Sequence, residues 1–301
     1  MLLEGTYIID GSIIFQTDVT LEGQGESTEI KLINSHDVDI DLIYANNCNS
    51  IIVRQINLNG NSSIQSSGAQ YGVRFESSSD CKINNCFVRN IRSIGVYTDN
   101  LSPNNTVMDN TITNCSTGIN VTSNKNNVAG NIVKDCDTGI LISSSSAAIG
   151  NLINSNNVSN CGTGIRLASY AKENSISSNS IFDNLNQGIY LQEQIVSTSS
   201  SPADNLISNN FCQGNGTYNI YIGAASSFND INSNICRAKS TSDYGIYVGA
   251  GQPLIVAEEN LIFNNDCYNG GTINGIYNDG SNTNFGGGNR NNDGTWSTIP
   301  N

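Results

Sequence analysis

NTVMDNTITNCSTGINV (residues 105–121), NNVAGNIVKDCDTGILI (126–142) and NLINSNNVSNCGTGIRL (151–167) are three copies of one phrase. Aligned, they share Asn at the first and sixth places, an aliphatic at the third and eighth, Cys at the eleventh and Gly-Ile at the fourteenth and fifteenth. The Gly-apolar beat recurs outward from them at Gly72-Val73, Gly95-Val96, Gly118-Ile119, Gly139-Ile140, Gly164-Ile165, Gly188-Ile189, Gly245-Ile246 and Gly275-Ile276, with Asn219-Ile220 filling the one missing slot. The interval is 21 to 31 residues. A period of this length marks a solenoid, in which no unit can bury its apolar face without its neighbours. Apolar residues alternate with polar ones, as at Val107, Ile112, Ile119 and Val121, which is the period of short strands. Three such strands per period, always in one order, predict an all-β, single-stranded right-handed parallel β-helix of about ten coils, a rod of roughly 50 Å at the ordinary inter-strand spacing.

Stacking coils superposes equivalent residues. Asn110, Asn131, Asn156, Asn179, Asn210, Asn234 and Asn260 are expected in one slot, and Asn105, Asn126, Asn151, Asn174, Asn205 and Asn229 in the preceding bend. Asn tolerates left-handed backbone and its amide can bond to the next Asn in the stack, so an asparagine ladder is predicted. Ser and Thr runs such as 143–146 read as turn chemistry.

These repeats resemble the pectin-lyase-like superfamily of right-handed parallel β-helices, in particular its periplasmic copper-binding-type repeat branch. The opening VTLEGQGEST (19–28) is similar to the first coils of pectate-lyase-like and viral tail-spike domains. The likeness runs from about residue 5 to residue 290 and implies fold more than function, because that superfamily holds lyases, hydrolases, epimerases, adhesins and spikes.

One elongated domain over 1–285 with a C-terminal tail over 286–301 is expected; the tail, which holds Trp296, reads as a cap over the open sheet edge. Lys plus Arg number 13 against 26 Asp plus Glu, a formal charge of −13. That sign opposes non-specific nucleic-acid binding and anionic membranes. No apolar run is long enough to insert in a membrane. Met1-Leu2-Leu3-Glu4 lacks the basic start and apolar stretch of a signal peptide. The capping helix carried by related β-helices is not visible before the first strand, expected at Thr6 to Ile9. The expectation is a domain excised from something longer and displayed outside the cell, on its surface or on a virion.

The nine cysteines are an odd number. Cys115, Cys136 and Cys161 share a slot with Ile91 and Leu185, and Cys212 and Cys236 stand where Ile112 and Val133 stand. Exchange with aliphatics makes them buried, reduced thiols. Cys81 and Cys86 fall in asparagine slots, and the lone histidine, His36, is far from them. The copper associated with the resembling branch is therefore not carried over, and no cofactor is expected.

In Gly-Ile-x-Ile both aliphatics point inward and the residue between them outward. That outward position reads Arg74, Tyr97, Asn120, Leu141, Arg166, Tyr190, Tyr221, Tyr247 and Tyr277, and the residue before Gly adds Tyr71, Tyr218 and Tyr244. Eight of the twelve tyrosines thus share one strand face, a platform whose flat rings suit sugar faces and whose hydroxyls suit sugar edges. Plain sheet packing and burial against a second copy, as in a homotrimeric spike, are the alternatives. Glu193 beside Tyr190 and Asp243 beside Tyr244 are candidate ligand contacts, and the insertions 194–203 and 249–254 read as loops walling this face.

In pectin-lyase-like enzymes the same strand commonly lines the substrate groove, but their signatures are missing. There is no Asn-Thr-Asp followed by Asp-Asp, no Gly-His-Gly, no Arg-Ile-Lys and no Asp-Pro-His. What remains is Arg74, Glu76, Tyr97 and Asp99, with Glu76 and Asp99 stacked within roughly 5 Å. Three chemistries stay open there: a retaining glycosidase pair, a lyase in which Arg neutralises a uronate while Tyr takes its proton, and a Ca²⁺ site. A surface network with Arg74 as counter-ion is the fourth reading. The leading expectation is a β-helix that binds a polysaccharide or surface glycan along the Gly-Ile strand, with lyase or hydrolase activity open; the alternative is a structural or adhesive module.

Overall fold

The computed structural model describes residues 1–192, 200–239, 243–249, 259–268, 275–279, 283–291 and 295. Three parallel ladders hold nearly all of the strand residues among them. The first passes through Lys82–Asn84, Thr106–Met108, Asn127–Ala129 and Leu152–Asn154 to Leu261–Phe263. The second includes Ile132–Lys134, Asn157–Ser159, Ser180–Phe182, Phe211–Gln213 and Ile235–Arg237. The third runs from Ile40–Asn46 and Gln70–Glu76 through Thr138–Ile142, Thr163–Leu167, Gln187–Leu191, Tyr218–Ile222 and Tyr244–Val248 to Ile276–Asn278. Every pairing joins one coil to the next, and a turn of 3₁₀ helix lies at Ser62–Ile64. Among them no helix is long and apolar enough to cross a membrane.

Alternation places one core aliphatic of each coil in the first ladder, one in the second and two in the third. Val128, Val133, Ile140 and Ile142 fill one coil; Ile153, Val158, Ile165 and Leu167 fill the next, all fully buried. Each such side chain contributes about 1.5–3 kcal/mol relative to exposure. The glycine before the third-ladder pair is a matter of close approach. A Cβ on Gly118 would lie 2.5 Å from Val133 Cγ1 and 2.6 Å from the Gly139 carbonyl, so in this coil Gly lets the second ladder turn into the third without displacing either.

The asparagines form two continuous ladders, with a different division of labour from the expected one. Asn156 Nδ2 donates to the Val128 carbonyl at 2.9 Å and to Asn179 Oδ1 at 3.0 Å, while its Oδ1 accepts the Asn131 backbone N–H at 3.0 Å. The left-handed angles belong to the residue before each ladder Asn: Asp109 (φ 54°), Ser155 (φ 55°), Ser178 (φ 56°) and Asn209 (φ 55°). The ladder Asn itself turns inward to satisfy the bend's buried backbone groups, which would otherwise each cost about 1–3 kcal/mol. Asn260 belongs to the column of Asn229, not of Asn234, whose successor is Asn265. The Asn234 column closes on Asn289, and Arg290 bridges to Asp266, so coil structure continues past residue 285. Trp296 lies outside the described residues. From Asn105 to Asn265 the two asparagines of a coil are always five residues apart, whereas the stretch from one coil's second Asn to the next coil's first varies from 16 to 26 residues.

All nine cysteines are unpaired and buried. Cys115 stacks on Ile91, and Cys212 lies in register with Ile181 and Cys236, as the aliphatic exchange predicted. The slot after Cys161 holds Asn184, whose Oδ1 accepts the Cys161 N–H at 2.9 Å. Leu185, expected there, is 76% exposed instead; the buried backbone donor selects an amide over an aliphatic.

Candidate functional site: the outward face of the third ladder

Between the inward pairs of the third ladder, the outward side chains form a grid in two groups. The first is centred on Arg74, in register with Tyr44 on one side and Tyr97 on the other. Its Nη2 lies 2.6 Å from Asp99 Oδ2 and 3.3 Å from Glu76 Oε1, and its Nη1 lies 3.9 Å from Asp41 Oδ2. The rings of Tyr44, Tyr71 and Tyr97 each stand with their centroids 5.6–5.7 Å from the guanidinium carbon, a cation–π box around a desolvated charge. Tyr97 donates its hydroxyl to Asp99 Oδ1 at 2.9 Å, and Tyr44 donates to Glu76.

Burial pushes Asp41 up to about 6, and the nearby charges of Glu76, Asp99 and Asp39 reinforce it against the pull of Arg74. Tyr44 and Tyr97 are both pushed up to about 12, first by burial and then by hydrogen bonds to carboxylates. Arg74 is held above its ordinary value: burial opposes its charge, but the Asp99 hydrogen bond and the charges of Glu76 and Asp41 outweigh it. Glu76, Asp99, Arg74 and Tyr97 therefore lie in one group, and Tyr71, read from the sequence as part of the tyrosine platform, packs against the same guanidinium. The guanidinium stands between Glu76 and Asp99, where an acid pair would need room for a glycosidic oxygen. Asp41 and Tyr44 belong to the same group and were missed, because their coil carries Leu42 where later coils carry the Gly of the beat.

The second group is a run of six tyrosines. Tyr190 and Tyr221 stack at 5.1 Å with 1° between planes, and Tyr247 and Tyr277 at 5.3 Å and 20°. Tyr218 sits between the two pairs, 4.9 Å from both Tyr221 and Tyr247, and Tyr244 packs 5.5 Å from Tyr218. All six are half-buried. The ring faces expected to meet sugars are thus largely given to neighbouring rings, leaving edges and hydroxyls along the run. Burial, then the Asp279 carboxylate, pushes Tyr247 up to about 12, so this phenol stays a protonated donor. Asp243 is half-buried directly before Tyr244; Glu193 lies outside the described residues.

Asn120, Leu141 and Arg166 separate the groups. Asn120, in register with Tyr97, is 9% exposed, and its Oδ1 has no hydrogen-bond partner. Arg166 Nε donates to Gln192 Oε1 at 2.9 Å.

Three parallel ladders, inward aliphatic stacks and asparagine-stitched bends define a right-handed parallel β-helix of the pectin-lyase-like type. The chain belongs to the family described as periplasmic copper-binding protein (NosD), which matches residues 6–215. Among solved structures, the A-module of Azotobacter vinelandii mannuronan C-5 epimerase AlgE4 is similar at TM-score 0.76 and 18% identity, over 94% of this chain and 85% of that one. The Dettilon tailspike protein is similar at TM-score 0.78 and 16% identity over 94% of this chain, which spans 59% of the tailspike's length. An exopolygalacturonase from Thermotoga maritima follows at TM-score 0.60 and 13% identity, over 92% of this chain and 80% of that one. Identities this low establish the fold alone. No curated protein sequence matches the chain.

The residues do not fit the copper of the family description. The single histidine is His36, all nine thiols are enclosed in the core, and among the described residues no three His, Cys, Asp or Glu side chains are placed to hold a metal ion.

Proposed function

We propose that this chain is an extracytoplasmic β-helix that holds an extended polysaccharide along the outward face of its third ladder. The observation that carries the reading is the run from Tyr190 to Tyr277, half-exposed phenols repeated once per coil, about 4.8 Å apart. A polymer lying along the axis would meet one hydroxyl per step, each able to donate and accept. The family description as periplasmic, and structural relatives named as a mannuronan epimerase, an exopolygalacturonase and a tailspike, support a glycan-facing role outside the cytoplasm.

The reading is one of binding. Arg74 between Glu76 and Asp99 supports a charge network that shapes one end of the face, and a bound Ca²⁺ would have to displace that guanidinium. A second reading is favoured by the mutual stacking of the tyrosines: a half-buried aromatic surface also suits a second copy of the chain, as in a trimeric spike.

A glycan-array screen of the purified protein, with Tyr221→Ala and Tyr247→Ala alongside, separates the two. Binding that disappears in folded variants supports the glycan reading, and product analysis on the hit then tests for lyase or hydrolase activity. An absence of binding, together with a self-association that the same variants abolish, would replace it with the structural reading.

A further inference from the structure

The arginines of this chain are mostly cancelled by acids. Arg54 reaches Glu22 at 3.0 Å, Arg74 reaches Asp99 at 2.6 Å, Arg89 reaches Glu29 at 3.0 Å and Arg237 reaches Asp266 at 2.7 Å. Arg92 gives its Nη1 to the Gln65 carbonyl at 3.0 Å, and Arg166 is different again. Its Nε and Nη2 both donate to the neutral amide oxygen of Gln192, and among the described residues no carboxylate lies within 4 Å of it. The amide fixes the guanidinium's direction without removing its charge, and it leaves the Nη1 edge of the fork free of protein partners among the described residues. A guanidinium oriented in this way is suited to recognising a carboxylate or another planar oxyanion.

Its position sharpens the point. Arg166 occupies the outward slot directly before Tyr190, in register with it, where the tyrosine run begins. The face is acidic at both ends, with Asp41, Glu76 and Asp99 around Arg74 and Asp279 beside Tyr247. Tyr97 lies three coils away from Arg166 and Tyr277 four, roughly 14 and 19 Å, beyond the screening length of about 8 Å at physiological salt. A polymer charged at every sugar would be repelled at both ends, while an isolated acid between neutral sugars meets a guanidinium with no carboxylate partner among the described residues and a row of tyrosines.

We infer that Arg166 seats the single acidic group of a mostly neutral glycan whose neighbouring sugars lie over the tyrosine run. The inference rests on the glycan-binding reading of this face. It is tested on an array holding neutral glycans, glycans with isolated uronate or other acidic residues, and polyuronates, read with the wild type, Arg166→Gln, Arg166→Lys and Tyr221→Ala, each checked for native circular dichroism. The expected result is strongest binding to glycans with isolated acids, reduced about tenfold or more by Arg166→Gln, partly kept by Arg166→Lys and weakened by salt. Best ligands that are neutral or densely acidic, or an Arg166→Gln profile equal to wild type, would overturn it. Binding that depends on Tyr221 but not on Arg166 sinks this inference alone; no glycan binding at all sinks the reading of the face as well.

Discussion

Arg74 Nη2 lies 2.6 Å from Asp99 Oδ2, one coil further along the rod, and the contact ties three successive coils together through Tyr44, Glu76 and Tyr97. Asp99 is 7% exposed, so it depends on this partner more than a surface acid would. Arg74→Gln should lower stability by about 2–4 kcal/mol, because it leaves a largely buried carboxylate without its counter-charge. Arg54→Gln, at a half-buried pair whose side chains are 42% and 24% exposed, should cost under about 1 kcal/mol. Urea midpoints of the two variants check this, and equal losses would show that solvent screens both pairs alike.

The asparagine ladder makes a positional prediction. Asn156→Ala strands the Asn131 N–H and the Val128 carbonyl inside the bend and should cost about 3–5 kcal/mol. Ser155→Gly, one residue earlier at φ 55°, should shift stability by less than about 1 kcal/mol, while Ser155→Val should destabilise, because a β-branched residue resists left-handed backbone. Thermal melts of the three variants suffice. Similar losses at 155 and 156 would contradict the division of roles.

Asp41 predicts a pH dependence with a definite sign. Its folded-state value, about 6, lies above the ordinary carboxylate value of 3.8. Between roughly pH 4 and 6 the folded protein holds a proton that the unfolded chain has released, so this residue's contribution falls as pH rises through that window. Allowing for solvent screening, the loss is about 1–2 kcal/mol. Asp41→Asn should match the wild type near pH 4 and exceed its melting temperature at pH 7. Parallel curves across the window would show that Asp41 titrates normally.

The thiols should be silent in the native state. Burial pushes Cys81 up to about 11 and Cys86 up to about 12, and all nine cysteines are enclosed. A thiol-reactive chromophore should label none in the folded protein and all nine after denaturation without reductant. Fewer than nine after unfolding would reveal a disulfide.

The third-ladder face was legible from residues 71 to 277 because strand alternation assigns every second residue to one side, so the register of Tyr190, Tyr221, Tyr247 and Tyr277 follows from counting from the glycine. Asp41 and Tyr44 escaped that count because Leu42 occupies the glycine position, although strand pairing sets Tyr44 beside Arg74. Asn260 was misassigned for a related reason: both ladder columns consist of the same residue, and after the long interval from Asn234 only hydrogen-bond register distinguishes them. Ring orientation is not encoded in spacing at all. Whether Tyr221 offers a face or an edge depends on its packing against Tyr190 and Tyr218.

The constant five-residue interval between the asparagines of each coil gives the molecule one margin that cannot be edited and another that can. Any insertion between those residues would break two stacks of buried amides at once. Insertions elsewhere in the coil cost little beyond loop closure, which grows slowly with length. The free margin runs from the second asparagine of one coil to the first of the next, and residues can be added there while every rung of the frame stays in place.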